Sequence, residues 1–197
     1  MYSFRIEQAI RAAAVLHKDQ VRRGQMPFPY ITHLVSVAFI LRDYTESEDV
    51  IVAALLHDAI EDTDYTLEEL QEDFGGTVRD IVEVLTEPAG DTAEPVPWKE
   101  KKRSYIKQLR SGPEAATMIM AADKIHNMRS GVEAYYDDHD RFLRDFGGSL
   151  TDRVAQYEDL AQLVTKRLRG GIVDEFEHVF TEYKQFIHHV QVTRDSI

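Results

Sequence analysis

The stretch Ile51-Val52-Ala53-Ala54-Leu55-Leu56 is a continuous apolar run, and His57-Asp58-Ala59-Ile60-Glu61-Asp62 follows it directly. Such a run is typical of a buried helix. On a continuous helix, at about 100° per residue, His57 and Glu61 would lie about 40° apart on one face, as would Asp58 and Asp62. Because an uncompensated buried carboxylate costs several kcal/mol, this face must meet a cation. The stretch therefore predicts a buried helix that carries a metal site.

Helical periodicity dominates the rest of the chain, and no stretch alternates cleanly as a strand would. Besides a first helix capped by Ser3 and a short one opened by the capping box Thr66-x-x-Glu69, helices are predicted near residues 32–42, 47–60, 77–85, 98–110, 114–128, 150–168 and 173–190. Glycine and proline predict loops at residues 22–29 and in an insert at 87–97, and residues 137–148 are predicted to be irregular. The sequence therefore predicts an all-α protein.

Composition narrows the function classes. The chain has 197 residues, no cysteine and a net charge of −12. This charge argues against sequence-independent binding of nucleic acid, and the lack of cysteine excludes disulfides and thiolate metal sites. No signal peptide and no apolar stretch of membrane-spanning length are visible. We therefore expect a cytoplasmic protein that binds neither nucleic acid nor membrane.

Two segments leave alternatives open. Residues 99–110 carry six Lys or Arg against Glu100 alone, which predicts either a solvated helix face or a phosphate-facing patch. The last helix has an apolar stripe at helical spacing, formed by Val173, Phe176, Phe180, Tyr183, Ile187 and Val190. We expect residues 171–197 to pack as a helix on a domain formed by residues 1–170, and a coiled-coil seam in a homodimer is the alternative.

Two further polar residues stand at buried-helix positions. His33 begins an otherwise apolar helix, and Asp123 interrupts the apolar stretch that starts at Met118. With His57 and Asp58 they make two imidazoles and two carboxylates, which suit Mn²⁺, Fe²⁺, Zn²⁺ or Co²⁺ better than Ca²⁺. The chain holds its own comparison, His139-Asp140, which lies in a hydrophilic stretch and is predicted to be a surface pair.

The order His33…His57-Asp58…Asp123 resembles that of the HD-domain metal phosphohydrolases. Three longer segments resemble one branch of them, the hydrolase domain of RelA/SpoT proteins and the small alarmone hydrolases. These segments are Pro29-Tyr30-Ile31-x-His33, Ala54-Leu55-Leu56-His57-Asp58-x-Ile60-Glu61-Asp62-Thr63 and Ala122-Asp123-Lys124-x-His126-Asn127-Met128. The resemblance implies an HD-domain bundle of about 8–10 helices.

The resemblance also implies roles. The metal ligands would be His33, His57, Asp58 and Asp123, holding Mn²⁺ or another divalent transition metal. Glu61 and Asp62 match the catalytic pair that acts on the attacking water and the leaving group. The nucleotide contacts would be Arg22, Arg23, Lys124 and Asn127. The implied reaction removes pyrophosphate from the 3′ position of guanosine or adenosine alarmones, (p)ppGpp or (p)ppApp.

The chain also departs from that branch. Leu34 stands where proline is usual, and Val84-Leu85-Thr86-Glu87-Pro88 lacks a lysine expected near Glu87. These changes bear on the choice of guanine or adenine more than on hydrolysis. Two other functions remain: an HD phosphohydrolase or phosphodiesterase acting on other nucleotides, and an HD fold that binds a nucleotide or a partner without turnover.

Overall fold

A computed structural model describes residues 3–22, 27–87, 97–146 and 150–195. Within these ranges the chain forms eleven helices, one of them a single turn, and one short two-stranded ribbon. The helices are α1 (Phe4–Leu16), α2 (Ile31–Arg42), α3 (Glu48–Leu55), α4 (Ala59–Asp62), α5 (Leu67–Phe74), α6 (Gly76–Leu85), α7 (Trp98–Ser111), α8 (Glu114–Asp137), α9 (His139–Phe146), α10 (Leu150–Arg167) and α11 (Gly171–Asp195). The all-α fold class is confirmed.

The long helix α8 forms the centre of the core. It packs against α2, α3, α6, α7, α9, α10 and α11, so it is surrounded on most sides. Ile119, Met120, Ile125 and Met128 are buried along its length. A helix buried all round needs apolar residues on every face, and a polar residue there needs a partner. Asp123 is therefore an exception that requires an explanation within the core.

Local signals set several helix ends as the sequence predicted. The Ser3 side chain accepts a hydrogen bond from the Ile6 N–H, and Thr66 and Glu69 form the predicted capping box of α5. Gly75 joins α5 to α6 with φ at 88°, a conformation that favours glycine. The insert predicted at 87–97 lies outside the described residues, apart from Glu87 and Pro97 at its edges.

The sequence missed the short ribbon. Strands β1 (Val21–Arg22) and β2 (Phe28–Pro29) pair antiparallel, with Val21 opposite Pro29. Two residues are too few to show the alternating pattern by which a strand is recognised. The ribbon lies immediately before α2 and so fixes Arg22 near the start of that helix.

The expectation that residues 137–148 are irregular was also wrong for residues 139–146, which form a helix. Helix α9 begins in that stretch, where the Asp138 carboxylate accepts a hydrogen bond from the Arg141 N–H and thereby caps it. Phe142 is buried and packs edge-on against Tyr135 and Phe186. Helix α8 extends beyond its predicted end near Met128, because the aromatic cluster of Tyr135, Phe142 and Phe186 stabilises its last turns. Tertiary packing decided both boundaries.

Helix α11 packs against α8 and α10. Phe176, Phe180, Tyr183, Ile187 and Val190 are buried within the chain itself. The predicted division of the chain into a domain of residues 1–170 and a C-terminal helix of residues 171–197 stays a prediction. The alternative of a homodimer also stays a prediction. Among the described residues, no helix combines the length and apolar character needed to cross a membrane.

Candidate metal centre and catalytic cleft

A break in the helix predicted over residues 47–60 positions His57 and Asp58. Helix α3 ends at Leu55, a turn covers residues 56–58, and α4 starts at Ala59, so the continuous helix predicted over residues 47–60 is wrong. Within the turn the Leu56 N–H donates to the Ala53 carbonyl, and the Ala59 N–H donates to the Leu56 carbonyl. The break presents His57 and Asp58 from a turn, where their side chains reach α2 and α8.

His57 is buried with one ring nitrogen unpartnered. Its Nδ1 donates to the Ala54 carbonyl at 2.7 Å, which leaves Nε2 as the nitrogen with the free lone pair. Among the described residues this buried Nε2 has no hydrogen-bond partner. It faces Asp58 Oδ2 at 3.2 Å and Asp123 Oδ1 at 3.9 Å. Lone pairs that converge at such distances repel one another unless a cation lies between them.

His33 completes the set from the first turn of α2. Its Nε2 lies 3.2 Å from Asp123 Oδ1 and 3.7 Å from Asp58 Oδ2. Burial lowers the pKa of His33, helped by the neighbouring His57, although Asp123 acts in the opposite direction. The ring is therefore neutral near pH 7, which is the form that binds metal ions.

Asp123 is the most constrained member. It is 7% exposed, its Oδ2 accepts from the Lys124 ammonium at 2.6 Å, and its Oδ1 accepts from the Asn127 amide at 2.5 Å. Burial alone would raise its pKa, but Lys124 and then His33 hold the pKa well below its usual range. Asp123 is therefore ionised, and Lys124 compensates a buried charge.

The residues present fit a divalent cation. Ligand atoms of His33, His57 and Asp58 all lie within 4.8 Å of one another, and Asp123 borders both histidines. Two imidazoles with two carboxylates suit a divalent transition metal, and the buried His57 Nε2 has no hydrogen-bond partner among the described residues. That these four residues are ligands stays a proposal.

Glu61 and Asp62 end α4 and line the same cleft, whose volume is about 220 Å³. Partial desolvation, then the carboxylates of Glu87 and Asp58, raise the pKa of Glu61, whose Oε2 accepts from the Glu87 N–H at 3.3 Å. Desolvation and then Asp58 raise the pKa of Asp62. Two close carboxyl groups with raised pKa values can hold and transfer protons near the cation site.

The predicted nucleotide contacts divide into three cases. Arg22 donates to the Asn127 side-chain oxygen at 2.8 Å and lies over the Tyr30 ring, so these residues form one wall beside Asp123. Lys124 lines the cleft but is already paired with Asp123. Arg23 lies outside the described residues.

Sequence reasoning missed the residues that hold the polar set in place. Tyr30 donates from its hydroxyl to Asp58 Oδ2 at 2.7 Å, and His126 Nδ1 lies 2.9 Å from His33 Nδ1. Burial, then His33, lowers the pKa of His126 to about 4, so both rings are neutral and the Nδ1–H of one ring donates to the Nδ1 of the other. Gln20 donates to the Asp62 carbonyl at 2.8 Å. Tyr30 and His126 both belong to the motif segments quoted above. Their polar side chains, next to the predicted ligands, were the signal that could have identified them.

The surface comparison pair behaves as predicted. His139 and Asp140 are both exposed, and they approach each other at 3.3 Å at the start of α9, away from the cleft. A His-Asp pair therefore occurs twice in the chain, once buried among ligand-type atoms and once in solvent.

Comparison with known proteins identifies relatives of this arrangement. A family model described as HD domain matches residues 9–145. The guanosine-3′,5′-bis(diphosphate) 3′-pyrophosphohydrolase MESH1 of Danio rerio is 34% identical over 180 residues, which cover 89% of this chain and 92% of that protein. The protein of the same name from Homo sapiens is 33% identical over equal shares of the two chains.

A solved structure supports the same fold. It is described as a metazoan ortholog of SpoT that hydrolyses ppGpp, and it matches 92% of this chain and 97% of its own, with a TM-score of 0.74 and 23% identity. At that identity the likeness concerns the fold.

Proposed function

Because this chain belongs to the HD-domain family and to its RelA/SpoT-type hydrolase branch, we propose that it removes the 3′-pyrophosphate of guanosine or adenosine alarmones, (p)ppGpp or (p)ppApp. The family implies a divalent metal, and we propose Mn²⁺, held by His33, His57, Asp58 and Asp123. The observation that carries the proposal is the convergence of these four side chains with Glu61 and Asp62 in one cleft.

The metal would supply one kind of chemistry: it polarises a phosphoryl oxygen and makes hydroxide available near neutral pH. The remaining steps belong to the chain. Glu61 orients the attacking water and takes its proton as the new P–O bond forms. Asp62, kept protonated longer by its raised pKa, gives a proton to the ribose 3′ oxygen as the old P–O bond breaks.

Substrate binding would use the opposite wall. Arg22 is held by Asn127 and lies 5.7 Å from the Tyr30 ring centroid, so its planar guanidinium is ready to contact a purine or a phosphate. Arg23 follows it in sequence and is proposed as a second contact. Lys124 serves first as the partner of Asp123, and its excess donor capacity can reach a substrate oxygen.

The experiment is product analysis with Mn²⁺ present. Purified protein is offered ppGpp, ppApp, a cyclic dinucleotide and simple nucleotides in parallel, and nucleotides and pyrophosphate are quantified by ion-exchange chromatography. We expect GDP or ADP with equimolar pyrophosphate. No turnover of either alarmone by folded, metal-loaded protein would contradict the proposal and favour another nucleotide phosphohydrolase of this family.

The chain provides a matched control for the metal. His57→Ala should abolish both activity and thermal stabilisation by Mn²⁺, because a ligand that binds only the folded state raises its stability. His139→Ala removes a histidine from the exposed His-Asp pair and should change neither. Parallel titrations with Fe²⁺, Co²⁺ and Zn²⁺ test the choice of Mn²⁺, which is wrong if another ion gives higher activity.

A further inference from the structure

Helix α7 divides its basic residues between two faces. Lys102 forms an ion pair with Glu87 at the edge of the cleft, and Tyr105 lines the cleft itself. Arg103, Lys107 and Arg110 lie on a neighbouring face, at the spacing of one helical stripe, and none of them lines the cleft. The sequence left open whether this run is a solvated face or a phosphate-facing patch, and in the structure its residues border two different places, the cleft and a second cavity.

The second place is a cavity of about 240 Å³ between α7 and α10, which we call the basic groove. Its lining residues are Arg103, Ile106, Lys107, Arg110, Asp159, Gln162, Leu163 and Lys166. The Arg167 guanidinium donates to the carbonyls of Leu109 and Gly112, which ties the end of α7 to α10. The groove is therefore lined by two helices that are joined by hydrogen bonds at the end of α7.

The charges in the groove are unbalanced. Arg103, Lys107, Arg110 and Lys166 bring four cations together, and within the described ranges none of their side chains forms an ion pair or hydrogen bond. Asp159 is the one carboxylate among the lining residues. Such a cluster in a chain of net charge −12 creates a local positive potential against the field of the whole molecule.

Helix ends explain part of this cluster. Arg110 is in the last turn of α7 and Lys166 in the last turn of α10, where cations interact favourably with the helix dipole. Arg103 and Lys107 lie further inside α7 and gain nothing from it. All four side chains are exposed, so water and Asp159 already screen their mutual repulsion, and a multivalent anion in the groove would relieve it further.

We propose that the basic groove binds a diphosphate group, either as free pyrophosphate or as part of a nucleotide. Arginine forks and lysine ammonium groups that line the groove from two helices match the several oxygens and the multiple negative charge of a diphosphate, which a halide ion does not offer. The groove shares no lining residue with the catalytic cleft, so this binding is separate from hydrolysis.

The test compares two double variants of the full chain. Lys107→Gln with Arg110→Gln removes two charges from the groove, and Lys18→Gln with Lys184→Gln removes two exposed charges elsewhere. Glutamine keeps helix propensity close to that of lysine and arginine. Each protein is titrated with inorganic pyrophosphate by calorimetry, at near-physiological salt and without added divalent metal, and then with GDP.

We expect the groove variant to bind pyrophosphate at least about tenfold more weakly than the wild type, and the control variant to match the wild type. In ¹⁵N-correlated NMR spectra, the perturbed amides should include Ile106 and Leu163. Tighter binding of GDP than of pyrophosphate, weakened in the groove variant and unchanged in the control variant, would identify a nucleotide as the source of the diphosphate. Tighter binding of pyrophosphate than of GDP, weakened in the same variant alone, would identify free pyrophosphate.

Three outcomes would overturn the assignment. They are no binding by the wild type at millimolar pyrophosphate, equal affinity in all three proteins, and equal weakening in both double variants. The last result would trace binding to net charge rather than to the groove.

Discussion

Removing either of two proposed ligand carboxylates should abolish metal binding, but only one removal should damage the metal-free fold. Asp123 is 7% exposed and compensates the Lys124 ammonium at 2.6 Å. Asp58 is 23% exposed at its side chain and accepts one hydrogen bond from the Tyr30 hydroxyl. The pair Asp123→Ala and Asp58→Ala therefore separates the structural role of a carboxylate from its role as a ligand.

The magnitudes follow from these surroundings. Breaking a buried ion pair costs about 3–5 kcal/mol, and because Lys124 is 20% exposed we expect about 2–4 kcal/mol for Asp123→Ala. Asp58→Ala leaves a tyrosine hydroxyl that water can reach, at about 1 kcal/mol, and it also relieves repulsion from Asp62. The difference of about 2 kcal/mol corresponds to a gap in Tm of roughly 4–8 °C for a chain of this length.

The assay is urea unfolding in chelator, with the free energy of unfolding obtained at equal m-values for both variants. The double variant Asp123→Ala with Lys124→Met, which leaves no unpaired cation, should recover part of the loss. Equal stability of the two single variants in chelator would refute the argument that Asp123 has a structural role in the metal-free protein.

The remaining predictions concern turnover. Glu61→Gln should keep thermal stabilisation by Mn²⁺ and reduce kcat by about 10²–10⁴, so unchanged activity would remove Glu61 from its role. Arg22→Ala should raise KM more than it lowers kcat, which steady-state kinetics with the preferred alarmone will check. The carboxylate of Glu87 contributes to raising the pKa of Glu61, and Glu61 must be ionised to act as a base. Activity therefore falls as pH drops through that raised pKa, and Glu87→Gln should move the acid limb of kcat/KM to lower pH; a limb that stays in place would contradict this.

The sequence predicted which residues would converge better than how they would be held. Apolar helices interrupted by His33, His57 and Asp123 were visible because a buried polar residue requires a partner. The break at residues 56–58 was not visible, since Leu56, His57 and Asp58 contain no glycine or proline to signal a turn. It arises where the polar side chains of the turn leave the α3 axis to meet α2 and α8.

Residues whose function depends on proximity alone escaped prediction for a related reason. Tyr30 and His126 are separated along the chain from Asp58 and His33: the packing of α2 on α3 brings Tyr30 to Asp58, and the packing of α2 on α8 brings His33 to His126. The aromatic cluster that extends α8 and stabilises α9 is likewise a product of tertiary contact. Local sequence patterns do not indicate contacts between residues that are far apart in the chain.

The replacement of an expected lysine by Glu87 shows how charge balance can be kept by a different element. Lys102 of α7 pairs with the Glu87 carboxylate, so a cation still lies at this edge of the cleft although it comes from another helix. The Glu87 N–H donates to Glu61 at 3.3 Å, so the same residue orients a proposed catalytic carboxylate through its backbone while its side chain raises the pKa of that carboxylate. A backbone donor is available whatever side chain residue 87 carries, whereas the carboxylate depends on the glutamate at this position. The substitution is therefore expected to leave the geometry of hydrolysis in place and to change its pH dependence.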